Sequence, residues 1–201
     1  MSHEAQSAGG PQREVLSVDD VIEPLTPKEL RKNRFGLLLF VTSQLVPTFV
    51  LINVRFMLAD DDVSAQADPL LGGLLPVLLF LLGAVPVWRA VRFAAVGSTD
   101  RMRRQLALAG VVGVVGLITQ IWPLIHHRYD ALAPFGEVHL ASVGVGGFFT
   151  LVTLILLYSV IARAGRGQVG PEHYWGVEAT GFVWSFNAVS WLAIYIVMFW
   201  L

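Results

Sequence analysis

HYWGVEATGFVWSFNAVSWLAIYIVMFWL, residues 173–201, is the stretch of sequence that decides the fold. From Trp175 onward it holds about 27 mostly apolar residues, which as a helix would extend about 40 Å at 1.5 Å per residue. The hydrocarbon core of a bilayer is only about 30 Å thick. The segment is too long and too uninterrupted for a helix in a soluble core. We therefore predict that it crosses a membrane.

The composition extends this prediction to the whole chain. Of its 201 residues 55% are hydrophobic and 14% are charged, with a mean hydropathy of +0.63. Soluble domains carry about 25% charged residues, so this chain lies outside their range. The net charge of −1 argues against nucleic acid as a partner, and the absence of cysteine excludes disulfides, thiolate metal sites and a catalytic thiol. The polar, acidic first 25 residues lack the apolar core of a signal peptide.

Four more apolar segments precede the last one. We predict an all-α membrane protein, a bundle of five transmembrane helices over residues 26–201, after a disordered cytoplasmic tail over residues 1–25. Thr26-Pro27-Lys28-Glu29 predicts a helix start with Thr26 as cap, and the glycines of spans three and four indicate close helix contacts. The spans are about 35–58, 70–91, 105–125, 138–162 and 175–201.

The basic residues predict the orientation. If the N-terminus is cytoplasmic, 12 of the 14 Lys and Arg residues lie inside, and only Arg55 and Arg128 lie outside. Cytoplasmic loops carry such an excess of positive charge. We expect a multi-pass membrane protein with its N-terminus in the cytoplasm and its C-terminus outside. Arg55, near the outer end of span one, is expected to extend its guanidinium to the membrane surface.

Histidines offer little for cofactor chemistry. None of the five lies in the interior of a predicted span, since His139 only opens span four, so haem ligation between facing helices is disfavoured. A metal site from His126, His127 and His139 on the outer face remains an alternative, although adjacent positions 126 and 127 point apart.

Three further groups of polar residues are candidates for a role in packing or function. Glu178, the one acidic residue within a span, is either a functional intramembrane acid or a hydrated or hydrogen-bonded carboxylate at the membrane interface. Gln44 and Asn53 lie on opposite faces of span one and are expected to form hydrogen bonds to other helices. Five arginines around the second loop either bind anionic lipid headgroups or only set the topology: Arg89, Arg92, Arg101, Arg103 and Arg104.

The last stretch resembles subunit III of haem-copper cytochrome oxidases. That family often has H-x-x-G-x-E-A-x-x-x-Y-W-H-F-V-D-x-x-W at the start of its last helix. The matching positions here are His173, Gly176, Glu178, Ala179, Trp184, Phe186 and Trp191. The first span is similar to the family's L-G-x-x-L-F-x-x-S-E, through Gly36, Leu39, Phe40 and Ser43.

Several family residues are replaced. Gln44 occupies the position of the family's membrane glutamate, Ser185 that of a histidine and Ala188 that of an aspartate. Both histidines of an H-G-x-H motif in the penultimate helix are absent from the segment 146–149. An amide cannot titrate, which leaves a proton-related role of position 44 without support.

The resemblance implies the short, five-helix bacterial form of a non-catalytic subunit, in a prokaryotic inner membrane. Such a subunit binds phospholipid in a cleft and carries no haem or copper of its own, because those belong to the catalytic subunit I. Its partners would be subunit I, other oxidase subunits and membrane lipids. The lipid-cleft or helix-contact residues would be Glu178, Trp184, Gln44, Ser43 and His173.

Two other interpretations stay open. The chain could be an accessory subunit of a nitric-oxide reductase or another respiratory complex. It could also be a stand-alone membrane scaffold or a transporter, although a transporter would need more ionisable groups at membrane depth than this chain supplies.

Overall fold

A computed structural model describes residues 25–58, 69–126 and 129–201. Within these ranges the chain forms five helices long and apolar enough to cross a membrane, and no strand. The predicted fold class is thus confirmed, while the tail predicted over residues 1–25 lies, except for its last residue, outside the described part. The helices are α1 (Pro27–Leu58), α2 (Leu75–Ala95), α3 (Thr99–Ile121), α4 (Pro134–Gly165) and α5 (Trp175–Phe199), with a π-helix over Pro69–Leu74 before α2 and a 3₁₀ turn over Trp122–Leu124 after α3.

The start of α1 has the predicted capping geometry. The backbone N–H of Thr26 donates to Glu29 Oε2 at 2.8 Å, and the N–H of Glu29 donates to Thr26 Oγ1 at 3.3 Å. Two N–H groups that would lack partners at a helix start are satisfied by this exchange. Pro27 occupies the first helical position, where a missing N–H costs nothing. The sequence prediction of this helix start is confirmed.

Helices α2 to α5 form a closed ring of neighbours, and α1 lies outside it against α4 and α5. A tight turn joins α2 to α3, and it contains Gly97 at φ 74°. This left-handed conformation favours glycine because other residues place a Cβ too close to the backbone. The turn meets Pro171 of the α4–α5 loop, only 3.2 Å from where a Cβ of Gly97 would lie.

The two ends of the bundle differ in composition. We call the end formed by the start of α1, the α2–α3 turn and the α4–α5 loop the basic end. The other end, which we call the distal end, holds the end of α1, the start of α4 and the end of α5. Contacts between Arg34 and Glu178 and between His139 and Phe199 connect elements within each end.

Small residues bring the helices together as predicted, with one exception. A Cβ at Gly113 would be 2.7 Å from the Trp184 ring, and one at Gly116 would be 2.7 Å from the Phe80 ring. Gly146 approaches Gln120 and Trp191 equally closely. Gly144 has no neighbour within 4 Å of its Cβ position, so the prediction of a helix contact is wrong there. It lies on the exposed side of α4, which the spacing of glycines alone does not reveal.

Candidate functional site

Trp184 lies where α2, α3 and α5 meet, and only 3% of its surface is exposed. Its indole N–H donates to the carbonyl of Phe80 at 2.9 Å, and the two rings make an edge-to-face contact at 6.5 Å. The ring fits against Gly83 of α2 and Gly113 of α3, since a Cβ at either position would collide with it. The sequence singled out Trp184 as a lipid-cleft or helix-contact residue. The structure places it in a contact among three helices.

A second tryptophan, Trp88, joins α2 to α5. It lies five residues after Gly83 in α2, closer to the basic end. Trp88 donates its indole N–H to Ser185 Oγ at 3.0 Å, and that hydroxyl donates to the carbonyl of Gly181 at 2.9 Å. The Trp88 ring also meets Phe182 edge-to-face at 5.4 Å. Ser185, which stands at the position of a family histidine, accepts the hydrogen bond from the Trp88 indole in this protein. Sequence reasoning recorded Ser185 only as a departure and missed this pair.

Three polar side chains meet in the middle of the ring. Thr150 of α4 lies 2.7 Å from Gln120 Oε1 of α3 and accepts a hydrogen bond from Asn187 Nδ2 of α5 at 3.0 Å. All three residues are buried, and Gln120 Nε2 has no hydrogen-bond partner. In an apolar interior, polar groups stay bound to each other because no water competes. Asn187 directly precedes Ala188, the residue at the position of the family aspartate.

Glu178 lies in the first turn of α5 and is paired with α1. Arg34 Nη2 is 3.0 Å from Glu178 Oε1 and 3.2 Å from Oε2. It is the one ion pair among the described residues, with 16% of the Glu178 side chain exposed against 58% for Arg34. Because Arg34 supplies a hydrogen-bonding charged partner near the helix end, the contact matches the interpretation of Glu178 as a hydrogen-bonded interfacial carboxylate.

The remaining predicted residues lie in different elements of the fold. Ser43 and Gln44 lie about 14 Å further along α1 than Arg34, at 1.5 Å per residue. Gln44 Nε2 donates to Ser43 Oγ at 3.0 Å, and Ser43 donates to the carbonyl of Phe40 at 2.7 Å. His173, in the loop before α5, has a buried Nε2 without a hydrogen-bond partner. Between the described residues, no hydrogen bond joins Ser43 or Gln44 to the predicted site residues of α5 and its preceding loop.

Two expectations about α1 are wrong. Gln44 and Asn53 were expected to bond to other helices, but the bonds of both amides stay within α1, with Asn53 Nδ2 donating to the carbonyl of Phe49 at 2.7 Å. Arg55 does not extend to the surface. It is buried, and its guanidinium carbon lies 5.7 Å from the centre of the Phe135 ring. The face of Phe135 attracts the cation, and this contact replaces the water that the surface would have offered.

The predicted arginine cluster lies at the basic end, and all five side chains are exposed. Two of them have intramolecular neighbours as well. Arg101 lies over the Phe93 ring at 5.9 Å, and Arg103 Nη2 is 3.7 Å from the Cβ position of Gly165 in the last turn of α4. Arg163 Nη1 similarly lies 3.8 Å from the Cβ position of Gly176. The cluster thus continues from the α2–α3 turn to the α4–α5 connection, beyond the five arginines that the sequence indicated.

The histidines at the distal end lie in different settings. His126 stacks on Trp122 at 4.0 Å, and His139 is buried, with Nδ1 within hydrogen-bonding distance of the Tyr129 hydroxyl. Burial raises the pKa of Tyr129 to about 12, since the charged phenolate is disfavoured away from water. His127 is outside the described residues, and among the rest no three His, Asp or Glu side chains group as metal ligands.

These features define a class, a polytopic α-helical membrane protein in which several buried polar side chains and two tryptophans join neighbouring helices. No family model matches the chain. It is 25% identical over 179 residues to cytochrome c oxidase subunit 3 of Pisaster ochraceus, over 83% of this chain and 69% of that protein. It is 24% identical to the subunit 3 proteins of Formosania lacustris and Gallus gallus, over 87% of this chain and 72% of each. The chain is thus similar, at low identity, to cytochrome c oxidase subunit 3 over most of its length.

Proposed function

We propose that this protein is a structural, lipid-binding and non-catalytic subunit of a terminal haem-copper oxidase in an aerobic respiratory chain. The observation that carries the proposal is the similarity to subunit 3 proteins over most of the chain, together with the last-helix residues. Glu178 and Trp184, two of the positions shared with the family pattern, both make contacts between helices. Side chains that fix the packing of the helices are consistent with a structural subunit, which has to offer a stable surface to neighbouring subunits.

The redox chemistry then belongs to a partner. Subunit I would hold the haem and copper, and this chain would contribute a shaped membrane surface and bound phospholipid. We place the protein in a prokaryotic inner membrane with the basic end in the cytoplasm. The predicted charge asymmetry supports this orientation, because the start of α1, the α2–α3 turn and the α4–α5 connection carry most of the positive charge at one end.

Purification of the tagged full-length chain in a mild detergent tests the proposal. We expect a haem-bearing catalytic subunit to be purified with it, giving haem absorbance and oxygen consumption. A partner that reduces nitric oxide instead would favour the accessory subunit of a nitric-oxide reductase. Recovery of the chain without any haem protein, together with solute uptake by liposomes containing it, would overturn the proposal in favour of a transporter.

Substitution of Glu178 should affect retention of the subunit and not the haem. Glu178→Gln keeps the size of the side chain but removes the charge that Arg34 contacts, so α1 is held less firmly against α5. We expect less of this chain in the purified complex and unchanged haem spectra. Glu172→Gln, in the exposed loop before α5, is the matched control. Altered haem spectra in the Glu178 variant would contradict a purely structural role.

The basic end should bind anionic lipid. Each arginine near a negatively charged membrane surface contributes about 1 kcal/mol of attraction. Replacement of Arg89, Arg92 and Arg104 by glutamine should therefore weaken phosphatidylglycerol binding at least about tenfold, since 1.4 kcal/mol corresponds to a factor of ten. Native mass spectrometry of the full chain with phosphatidylglycerol and with phosphatidylcholine measures this. Equal loss of both lipids, or no loss of either, would show that these arginines only set the topology.

A further inference from the structure

Arg55 is a buried cation that forms no ion pair with any of the described residues. Only 8% of it is exposed, and its Nε is buried without a hydrogen-bond partner. Asp130 and Glu137, the acidic residues described at the distal end, do not pair with it. A guanidinium keeps its charge, and a buried charge without a partner is costly. An anion bound at Arg55 would offset that cost.

Phe135 positions the guanidinium but accepts no conventional hydrogen bond from it. The ring is fully buried, and its centre lies 5.7 Å from the Cζ atom of Arg55. An aromatic face attracts the charge, whereas the N–H donors of a guanidinium form a planar fork that matches phosphate and carboxylate oxygens. The two Nη atoms have no hydrogen-bond partner among the described residues and, unlike Nε, are not fully enclosed. Their donors are therefore available to an anion that approaches from outside the bundle.

The start of α4 adds a second positive feature at the same place. Phe135 lies in the first turn of α4, whose N-cap residue Ala133 provides no side-chain hydrogen bond. The N-terminus of a helix carries a partial positive charge and favours a bound anion. The unpaired cation of Arg55 lies against this turn. Two independent features thus favour an anion at one position.

The depth of Arg55 indicates which anion it meets. Arg55 follows Arg34 by 21 residues, which α1 converts to a separation of about 32 Å. The hydrocarbon core is about 30 Å thick, so with Arg34 at one membrane surface Arg55 lies level with the phosphates of the opposite leaflet. Trp122 and Trp200 are exposed at the distal end, in the interfacial position that tryptophan prefers. Met57, two residues after Arg55, is 80% exposed and offers apolar surface to an acyl chain.

We propose that Arg55, held over Phe135 at the start of α4, binds the phosphate group of a phospholipid in the leaflet at the distal end. This site is separate from the exposed arginines of the basic end, which face the other leaflet. The guanidinium recognises the phosphodiester common to glycerophospholipids, because its fork can donate to two oxygens of one phosphate. The inference rests on the lipid-binding part of the proposed function and does not depend on an oxidase partner.

Native mass spectrometry of the full-length chain tests this site with two probes. Dioleoylphosphatidylethanolamine carries the phosphate, and dioleoylglycerol has the same acyl chains without it. The proteins compared are the wild type, Arg55→Met, Arg55→Lys and the basic-end triple variant Arg89→Gln, Arg92→Gln and Arg104→Gln. Methionine has an unbranched side chain without charge, whereas lysine keeps the charge. Unfolding in SDS establishes that each variant is folded.

Arg55→Met should weaken the binding of one phosphatidylethanolamine about tenfold and leave dioleoylglycerol unchanged, because only the attraction to the phosphate is lost. Arg55→Lys should retain most of the binding. The triple variant keeps Arg55, so it should still prefer phosphatidylethanolamine to dioleoylglycerol, a result that does not require the methionine variant to fold.

The contrary results separate this site from the general function. Equal retention of the two probes by the triple variant would overturn the proposal. So would unchanged phosphatidylethanolamine binding in a folded Arg55→Met variant, and if the triple variant then loses that lipid, lipid binding belongs to the basic end alone. Unchanged binding in both variants would overturn this site and also count against the lipid-binding role of the basic end.

Discussion

Replacing Trp184 with alanine is expected to destabilise the bundle more than any other substitution considered. Loss of a buried tryptophan costs about 3–5 kcal/mol in soluble cores, through lost transfer energy and the cavity left behind. In lipid the transfer part is smaller, so we expect the lower end of that range, about 3 kcal/mol. The substitution also removes the hydrogen bond to the Phe80 carbonyl. Unfolding of the full-length chain in mixed detergent and SDS micelles measures the loss.

A matched control and a converse substitution sharpen this prediction. Trp200→Ala removes the same side chain from an exposed position, where 73% of the residue is accessible, and should change stability little. Gly83→Ala adds one methyl group where the Trp184 ring already lies, so it should also destabilise, by about 1–3 kcal/mol from overpacking. If Trp184→Ala and Trp200→Ala unfold at the same SDS fraction, the indole is not the central packing element that the contacts indicate.

The second large effect is expected at Thr150. Thr150→Val keeps the shape of the side chain but removes the hydroxyl that both Gln120 and Asn187 contact. Two buried amides then lose a partner, and an unsatisfied buried polar group costs about 1–3 kcal/mol. Hydrogen bonds between membrane helices average about 0.6 kcal/mol and reach about 1.7 kcal/mol, so we expect a loss of about 1–2 kcal/mol.

Thr153 supplies the control for this second prediction. It is equally buried on α4, but its hydroxyl donates to the Phe149 carbonyl of its own helix at 2.8 Å. Thr153→Val should therefore be nearly neutral in the same SDS unfolding experiment. Similar losses for the two valine variants would mean that the polar cluster adds nothing beyond an ordinary buried threonine.

The candidate site was predictable only in part. Trp184 stood out because it lies in the family pattern, but its partners Gly83 and Phe80 are about 100 residues earlier in the chain. The Thr150 cluster had no sequence signal, since a threonine, a glutamine and an asparagine in three separate spans show no common spacing. Arg55 was expected at the surface because the sequence shows only that it lies near the end of a helix. Its burial depends on Phe135, which belongs to another helix.

The sequence by itself determined the membrane class, the five spans and the start of α1. These properties depend on run length, on charges at the ends and on residues three or four apart, all of which are local along the chain. Only the tertiary structure decided that α2 to α5 close into a ring with α1 outside, that Gly144 faces outward and that Arg34 reaches Glu178. In lipid every helix is apolar all round, so hydrophobicity does not tell one face from another. Side-chain shape and a few polar partners on other helices make that choice.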